Sequence, residues 1–387
     1  MNRPENMQVI AVDLVELYFS FIVFLALYFF ILALLNIFEM HTHTFPPEFT
    51  EGPLVSVLIP VRNEEDHIEN CLNSLCNQDY QNYEILVLDD NSTDKTPAVL
   101  NRMARDEKRI RVYSGASLPN DWYGKPFALQ QLSGKARGDI LMFTDADTVH
   151  NSSSISWAVT NMIRSKADFV SGYVGQTLLS FGERITVPLM FFLTGFIIPL
   201  GMNKFTKFGL FSSAVGQFIA IKKEVFEQVG GFKAVKKKTS EDVYLARHVR
   251  AQGYTTVFLD LSDQVQCRMY TGYRKAVEGI GKNIFDFLGK NSLLLLAIFF
   301  AILFFLLLPF PLFFLEAAAR GSHGGNLLMV NLLYTLTWMV LFLDRKITWY
   351  YALLWPLMFV NLLYMAGWSW FKTVSGQGFI WKDRVVT

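Results

Sequence analysis

Residues 17–38 carry no charged side chain, and an apolar stretch of that length can cross the hydrocarbon core of a bilayer as a helix. A secretory signal would have a shorter apolar region behind a basic flank, with small residues at a cleavage site. Here Asp13 and Glu16 precede the run, and Asn36-Ile37-Phe38-Glu39 closes it, so a retained anchor is expected. Three more apolar segments follow, at 292–315, 327–343 and 347–370. The middle one is the shortest, and is expected to tilt little or to be re-entrant. Trp and Tyr near both ends of the last suit anchoring at the headgroup level. Pro309, Pro311 and Pro356 are expected to kink their helices.

Composition agrees with a chain partly in lipid. Hydrophobic residues make up 52% and aromatics 15%. A formal net charge of +1 argues against nucleic-acid binding through broad phosphate neutralisation. Cys71, Cys76 and Cys267 are too few and too scattered for a disulfide framework, and no Cys-x-x-Cys is present. Reduced thiols are expected.

Three domains are expected: an anchor with its linker (1–49), a soluble α/β unit (50–285), and carboxyl-terminal membrane helices with a tail (286–387). In the middle unit, 54–59 reads as a buried strand before Pro60. Asn63 is then placed to cap a helix with apolar positions at Ile68, Leu72 and Leu75. Further strands are expected at 84–88, 110–113 and 139–143, with Ser92 or Thr93 capping the helix after the second. Alternating strands and helices predict parallel pairing with right-handed crossovers, and such sheets gather ligands at the carboxyl ends of their strands. The segment 187–202 is apolar but broken by Gly195, Pro199 and Gly201. It reads either as a buried core helix or as a helix in the membrane surface. On the second reading, Phe191 and Phe192 would face an incoming lipid acceptor.

Acidic clusters stand at the predicted strand ends. Asp145-Ala146-Asp147 can aim two carboxylates at one divalent ion, Mg²⁺ or Mn²⁺, although most such pairs are plain Asp-rich turns. Asp89-Asp90-Asn91-Ser92-Thr93-Asp94 could be a turn and cap, yet two adjacent acids repel unless a donor-rich ligand or cation is near. Glu241-Asp242 opens a helix, where the dipole favours acids in any protein. The sharper reading makes Asp242 a general base. Lys125 follows Gly124 and could reach a phosphate, as could Arg268, whose plainer reading is a contact with lipid headgroups. His41 and His43 lack a third ligand nearby and read as interfacial. Hydrolase chemistry has no support, since no recognisable elbow presents a Ser or Cys nucleophile.

In their order and spacing, Pro60 to Glu65, Asp89 to Asp94, Asp145 to Asp147 and Glu241-Asp242 resemble the motifs of inverting glycosyltransferase family 2. The resemblance covers residues 52 to 285. It implies an α/β fold of the GT-A type, a Rossmann-like mixed sheet with helices on both faces, here joined to transmembrane α-helices. It implies a UDP-sugar donor, UDP-glucose in particular, held by Pro60, Arg62, Glu64, Asp89, Asp90, Lys125, Asp145 and Arg268. Asp90, with Asp89, would hold the uracil. Asp145 would contact ribose or metal, Asp147 would bind the divalent metal, and Asp242 would be the base. The anchors, Trp122 to Lys125, Arg268-Met269-Tyr270, Glu278 to Asn283 and Trp381-Lys382-Asp383-Arg384 look closest to membrane-bound carotenoid glycosyltransferases. That implies a lipid-soluble acceptor, a carotenoid acid or hydroxycarotenoid.

Departures from the pattern bear on the acceptor more than on the reaction. The Gln-x-x-Arg-Trp motif of processive relatives is not intact, because Val265 precedes Arg268 and Met269-Tyr270 follow it. The tail has Asp383 where the related group more often has Gly. A polysaccharide synthase and a non-enzymatic membrane scaffold are the alternatives. The first lacks its motif, and the second leaves the ordered acids unexplained. A multi-pass protein of the cell membrane with a cytoplasmic catalytic domain is expected, with Arg345 and Lys346 on that side.

Overall fold

The computed structural model describes residues 3–381 and 384–386, with side chains from 14 to 379. Lys382 and Asp383 of the tail motif therefore lie outside the described residues. The elements begin with α1 (Arg3–Thr42), β1 (Val55–Val61), α2 (Ile68–Cys76), β2 (Tyr83–Asp89), α3 (Thr96–Asp106) and β3 (Ile110–Ser114). Next come α4 (Gly124–Ser133), β4 (Ile140–Phe143), β5 (Thr148–His150), α5 (Ser154–Arg164), β6 (Phe169–Gln176) and α6 (Phe181–Thr186). Then follow β7 (Ile219–Lys222), α7 (Lys223–Gln228), α8 (Glu241–Ala251), β8 (Thr256–Cys267) and α9 (Tyr273–Phe287). The chain closes with α10 (Ser292–Ala301), α11 (Pro309–Ala319), α12 (Gly324–Asp344), α13 (Trp355–Val374), β9 (Phe379–Trp381) and β10 (Arg384–Val386). Two compact units emerge. A sheet unit holds Phe38–Leu179, Ile198–Thr271 and the chain from Gly376 on. A helical unit holds the chain up to Ile37, Ser180–Ile197 and Gly272–Ser375.

In the sheet unit the strands run in the order β3-β2-β1-β4-β7-β6-β8-β5. Alternate residues of β1 enter two separate cores. Val55, Val57, Ile59 and Val61 pack with Leu72, Leu75 and Trp157. Leu58 packs on the other face with Leu129, Phe143 and Leu245. Burial on both faces is why these strands read as continuous apolar runs rather than alternating ones. Parallel pairing holds for β3, β2, β1 and β4. Beyond them the sheet is mixed, because β7 runs antiparallel to both β4 and β6.

Two expected caps are corrected. Asn63 does not cap α2. Its backbone is left-handed (φ 51°), a turn separates it from Ile68, and its Oδ1 accepts from the Thr93 N–H at 2.8 Å. Neither Ser92 nor Thr93 caps α3. Ser92 Oγ accepts from the Asn63 N–H at 3.0 Å, while Asp94 Oδ1 takes the Thr96 N–H at 2.9 Å. These side chains stitch two neighbouring loops together instead.

Among the described residues four helices are long and apolar enough to cross a membrane: Leu14–Thr42, Ser292–Ala319, Gly324–Asp344 and Trp349–Val374. The third is longer than its apolar run. The expected proline kinks take a different form. Pro309 stands in the first turn of α11, behind a π-turn at Ile302–Leu307. Its ring leaves the Phe305 carbonyl without a helical donor, and the Tyr334 hydroxyl donates to that carbonyl at 2.9 Å. Pro356 likewise sits in the first turn of α13.

The 187–202 segment forms neither of the helices expected of it. It breaks into 3₁₀ turns at Val187–Met190 and Leu200–Lys204 around a π-turn at Leu193–Ile197. Phe191 and Phe192 are buried, which overturns their reading as a lipid-facing surface. Phe192 packs edge-on to Phe359, and Phe196 edge-on to Trp338. The Asn36 side chain donates to the Thr194 and Gly195 carbonyls at 2.9 and 3.2 Å, serving groups that the irregular turn leaves exposed. Neighbouring polar groups are matched in the same way: Glu183 Oε1 accepts from the Gly272 N–H, and Asn361 bridges Thr186 and Tyr273.

Candidate active site

The site lies where β1, β2 and β4 end, with α4 and α8 closing over it. Asp89 and Asp90 end β2. Asp89 Oδ1 accepts from the Ser92 N–H at 3.0 Å, and Asp90 beside it is buried. Arg62, just past β1, donates to the Asp90 and Asn91 carbonyls at 2.6 and 3.0 Å. Pro60 lies within β1. The Glu64 N–H donates to Thr96 Oγ1 at 2.9 Å, and the Glu64 carboxylate faces the acids that follow β4. Glu65 and Asp94 belong to the loop stitching, since Glu65 accepts from the Lys95 N–H and Asp94 from the Glu65 N–H.

Lys125, in the first turn of α4, is the hub. Its Nζ stands 2.6 Å from Asp145 Oδ1 and 3.4 Å from Glu241 Oε1. Asp242 is nearby in charge, and together these acids hold the ammonium well above its ordinary pKa despite burial. Burial pushes Asp242 and Glu241 upward, and Lys125 pulls both back down. Asp242 is fixed by two backbone donors: Gly216 N–H to Oδ2 at 2.7 Å, and Val243 N–H to Oδ1 at 2.8 Å.

Burial, then the charges of Asp145 and Glu64, raise the Asp147 carboxyl well above the usual range. Its Oδ1 is buried and has no hydrogen-bond partner. No three His, Cys, Asp or Glu side chains among the described residues converge closely enough to cage an ion alone. Two hard carboxylates with one orphaned oxygen do suit Mg²⁺ or Mn²⁺, which keep open positions for water and phosphate. The residues present therefore fit such an ion, which Asp147 and Asp145 could hold, with Asp145 also paired to Lys125.

A buried hydrogen-bond set supports this turn. Thr148 Oγ1 donates to the Asp145 carbonyl at 2.7 Å, and Thr144 Oγ1 reaches Thr148 Oγ1 at 2.9 Å and the Gln217 carbonyl at 2.9 Å. His150 Nε2 lies 3.0 and 3.1 Å from the two threonine hydroxyls, and burial pushes its pKa down to about 3, so it stays neutral. Arg268 follows β8 directly. The nearby Cys267 and Tyr270 are buried, and Asp147 adds to the rise that burial gives their pKa values.

The structure brings Asp145, Asp147, Asp242 and Lys125 together, and beside them stands Gly216, which the sequence reading did not single out. Nothing in the local pattern around it marks a site. Its role follows from fit: a Cβ there would stand 3.0 Å from Lys125 Nζ and 3.2 Å from Asp242 Oδ2. Gly216→Ala is expected to lower kcat by about 10- to 100-fold, with thermal stability nearly unchanged, because a small displacement of reacting groups is costly. An unaltered kcat would show that the close approach is incidental.

A half-parallel sheet with acids converging at its carboxyl rim is the GT-A architecture. It is shared with mannosyltransferase PcManGT from Pyrobaculum calidifontis, solved in complex with GDP-Man and Mn²⁺. That structure matches with a TM-score of 0.58 at 21% identity, over 93% of this chain and 99% of that one, a likeness that concerns the fold. Residues 56–230 match the model of glycosyl transferase family 2. It is 38% identical over 97 residues to the beta-monoglucosyldiacylglycerol synthase of Nostoc sp. strain PCC 7120, covering 24% of this chain and 20% of that protein. It is 29% identical over 226 residues to the probable glycosyltransferase YdaM of Bacillus subtilis strain 168, covering 56% and 51%. The chain thus spans about a fifth to a half of the length of these curated relatives.

Proposed function

We propose that this protein is a hexosyltransferase that moves a sugar from a nucleoside-diphosphate donor, UDP-glucose by expectation, to a lipid acceptor in the membrane. The observation that carries the reading is the convergence of Asp145, Glu241 and Asp242 on Lys125, with Asp147 beside them. Four apolar helices and a relative named for a glucosyldiacylglycerol support a lipid acceptor. A carotenoid acid or hydroxycarotenoid is the narrower form of this reading.

In this reading Asp89 and Asp90 hold the base, beside the loops that Arg62 and Glu64 help to fix. The acceptor oxygen attacks the anomeric carbon from the face away from the diphosphate. That carbon–oxygen bond forms as the bond to the diphosphate breaks, the electron pair leaves with UDP, and configuration inverts. Asp242, held by Gly216 and Val243, takes the acceptor proton. Lys125, and Arg268 if it turns toward the donor, offset charge on the departing diphosphate. A divalent cation on Asp147 and Asp145 would supply further positive charge at that point.

Asp242 works as a base only when deprotonated, so activity is expected to fall as pH drops through its raised pKa. Lys125→Met removes the charge that holds this pKa down. The acid limb of kcat should then move to higher pH. A limb that stays in place would remove Asp242 from the rate-limiting proton transfer.

We place the catalytic domain in the cytoplasm, on the side of Arg345 and Lys346. The deciding experiment incubates membranes holding the protein with labelled UDP-sugars and candidate lipids, with and without Mn²⁺. Metal-dependent label in one lipid class supports the reading. Label in a long water-soluble polymer would indicate a polysaccharide synthase, and the absence of any transferred label would defeat both.

A further inference from the structure

Residues 202–210 read Met-Asn-Lys-Phe-Thr-Lys-Phe-Gly-Leu, an alternation of large apolar and basic side chains. In the sheet unit they form a short ridge between two 3₁₀ turns, Leu200–Lys204 and Gly209–Phe211. Phe205 is 82% exposed and Phe208 61%, with Met202 and Leu210 also exposed. The ridge backbone is pinned from beneath. Asn203 Nδ2 donates to the Thr256 carbonyl at 2.7 Å, Ser212 Oγ donates to Asn203 Oδ1 at 2.7 Å, and Arg250 Nε donates to the Thr206 carbonyl at 2.9 Å. A pinned loop that holds out four large apolar side chains marks a contact surface.

One more bond identifies what it contacts. Lys204 Nζ pairs with Glu39 Oε1 at 2.7 Å, and Glu39 lies in the last turn of α1, at the end of the span Leu14–Thr42. This bond ties the ridge to the carboxyl end of the helix that carries that span. With Lys204 paired to Glu39, Lys207 stands between Phe205 and Phe208, the arrangement in which apolar rings enter the interface while an ammonium group stays with anionic headgroups.

We propose that this ridge is a bilayer-contact surface that seats Phe205 and Phe208 among the lipid headgroups and favours anionic lipid. The inference rests on residues 14–42 spanning the membrane, and not on sugar transfer. The ridge also packs on the helix that carries Asp242, since a Cβ at Gly209 would stand 2.5 Å from the Arg247 carbonyl oxygen. From Gly209 the chain reaches Gly216 within the site.

The test uses the full chain in nanodiscs of phosphatidylcholine, with or without phosphatidylglycerol. A polarity-sensitive fluorophore is attached through Phe205→Cys, and separately through Lys108→Cys as an exposed control, both in a Cys76→Ser background. The label at 205 should emit further to the blue than the control, be quenched best by shallow lipid-borne quenchers, and shift further blue with phosphatidylglycerol. Lys207→Glu should abolish that last increment. Emission matching the control would overturn the proposal. So would a blue shift that persists in detergent and grows with protein concentration, which would mean a second copy covers the ridge. Because the readout is optical, its failure is distinct from failure of the transferase reading.

Discussion

Asp242→Asn is expected to cut transfer to a hydroxyl acceptor by about 10²- to 10⁴-fold, the range that a positioned general base contributes. The substitution removes the proton acceptor and also disturbs its seat. Asp242 takes the Gly216 and Val243 N–H groups on its two oxygens, and an asparagine amide could accept only one of them. The second donor would face an N–H, and the Gly216 strap beside Lys125 would shift. Donor binding should change far less than kcat, since Asp89 and Asp90 stand at the end of β2 and not on the helix that carries Asp242. A carboxylate acceptor separates chemistry from placement. It is already ionised near neutral pH, so only the loss from misplacement should remain. Steady-state kinetics with one hydroxyl lipid and one carboxylic lipid make the comparison. Equal losses with both would mean that Asp242 orients substrate rather than accepting a proton.

Asp147→Ala is expected to lower metal-dependent transfer by about 10³-fold, equivalent to about 4 kcal/mol at 1.36 kcal/mol per tenfold. Without metal, the Asp147 carboxylate sits among its own kind. Asp145 and Glu64 add to the rise that burial gives its pKa, and Oδ1 has no partner. Removing it should therefore leave the melting temperature unchanged or raised, because a buried, repelled charge disappears. Activity lost with stability kept is the signature of a group retained for chemistry. Calorimetry should show that Mn²⁺ no longer strengthens donor binding. Full transfer by the variant, or a large fall in melting temperature, would each remove Asp147 from the role of metal ligand.

The spans were legible because a membrane imposes its length on any helix that crosses it, so a local run such as 17–38 carries the whole signal. The strands β1, β2 and β4 were legible for a similar reason, since burial on both faces leaves an unbroken apolar run. The acids at their ends could be placed because strand ends in such a sheet share one rim. Other assignments failed where a side chain had two local uses and the fold chose. Asn63 could cap a helix, but the neighbouring loop takes its amide oxygen. Phe191 and Phe192 could have faced lipid, but the helical unit encloses them.

The sequence alone determined which segments can enter a bilayer, which strands form the parallel half of the sheet, and which carboxylates stand at its rim, because each depends on neighbours along the chain. Tertiary structure alone decided that Lys125 binds Asp145 and Glu241, that Gly216 must be small, and that the exposed ridge at 202–210 is tied to the end of α1. Those facts depend on distances between residues far apart in sequence, and no local pattern encodes such distances.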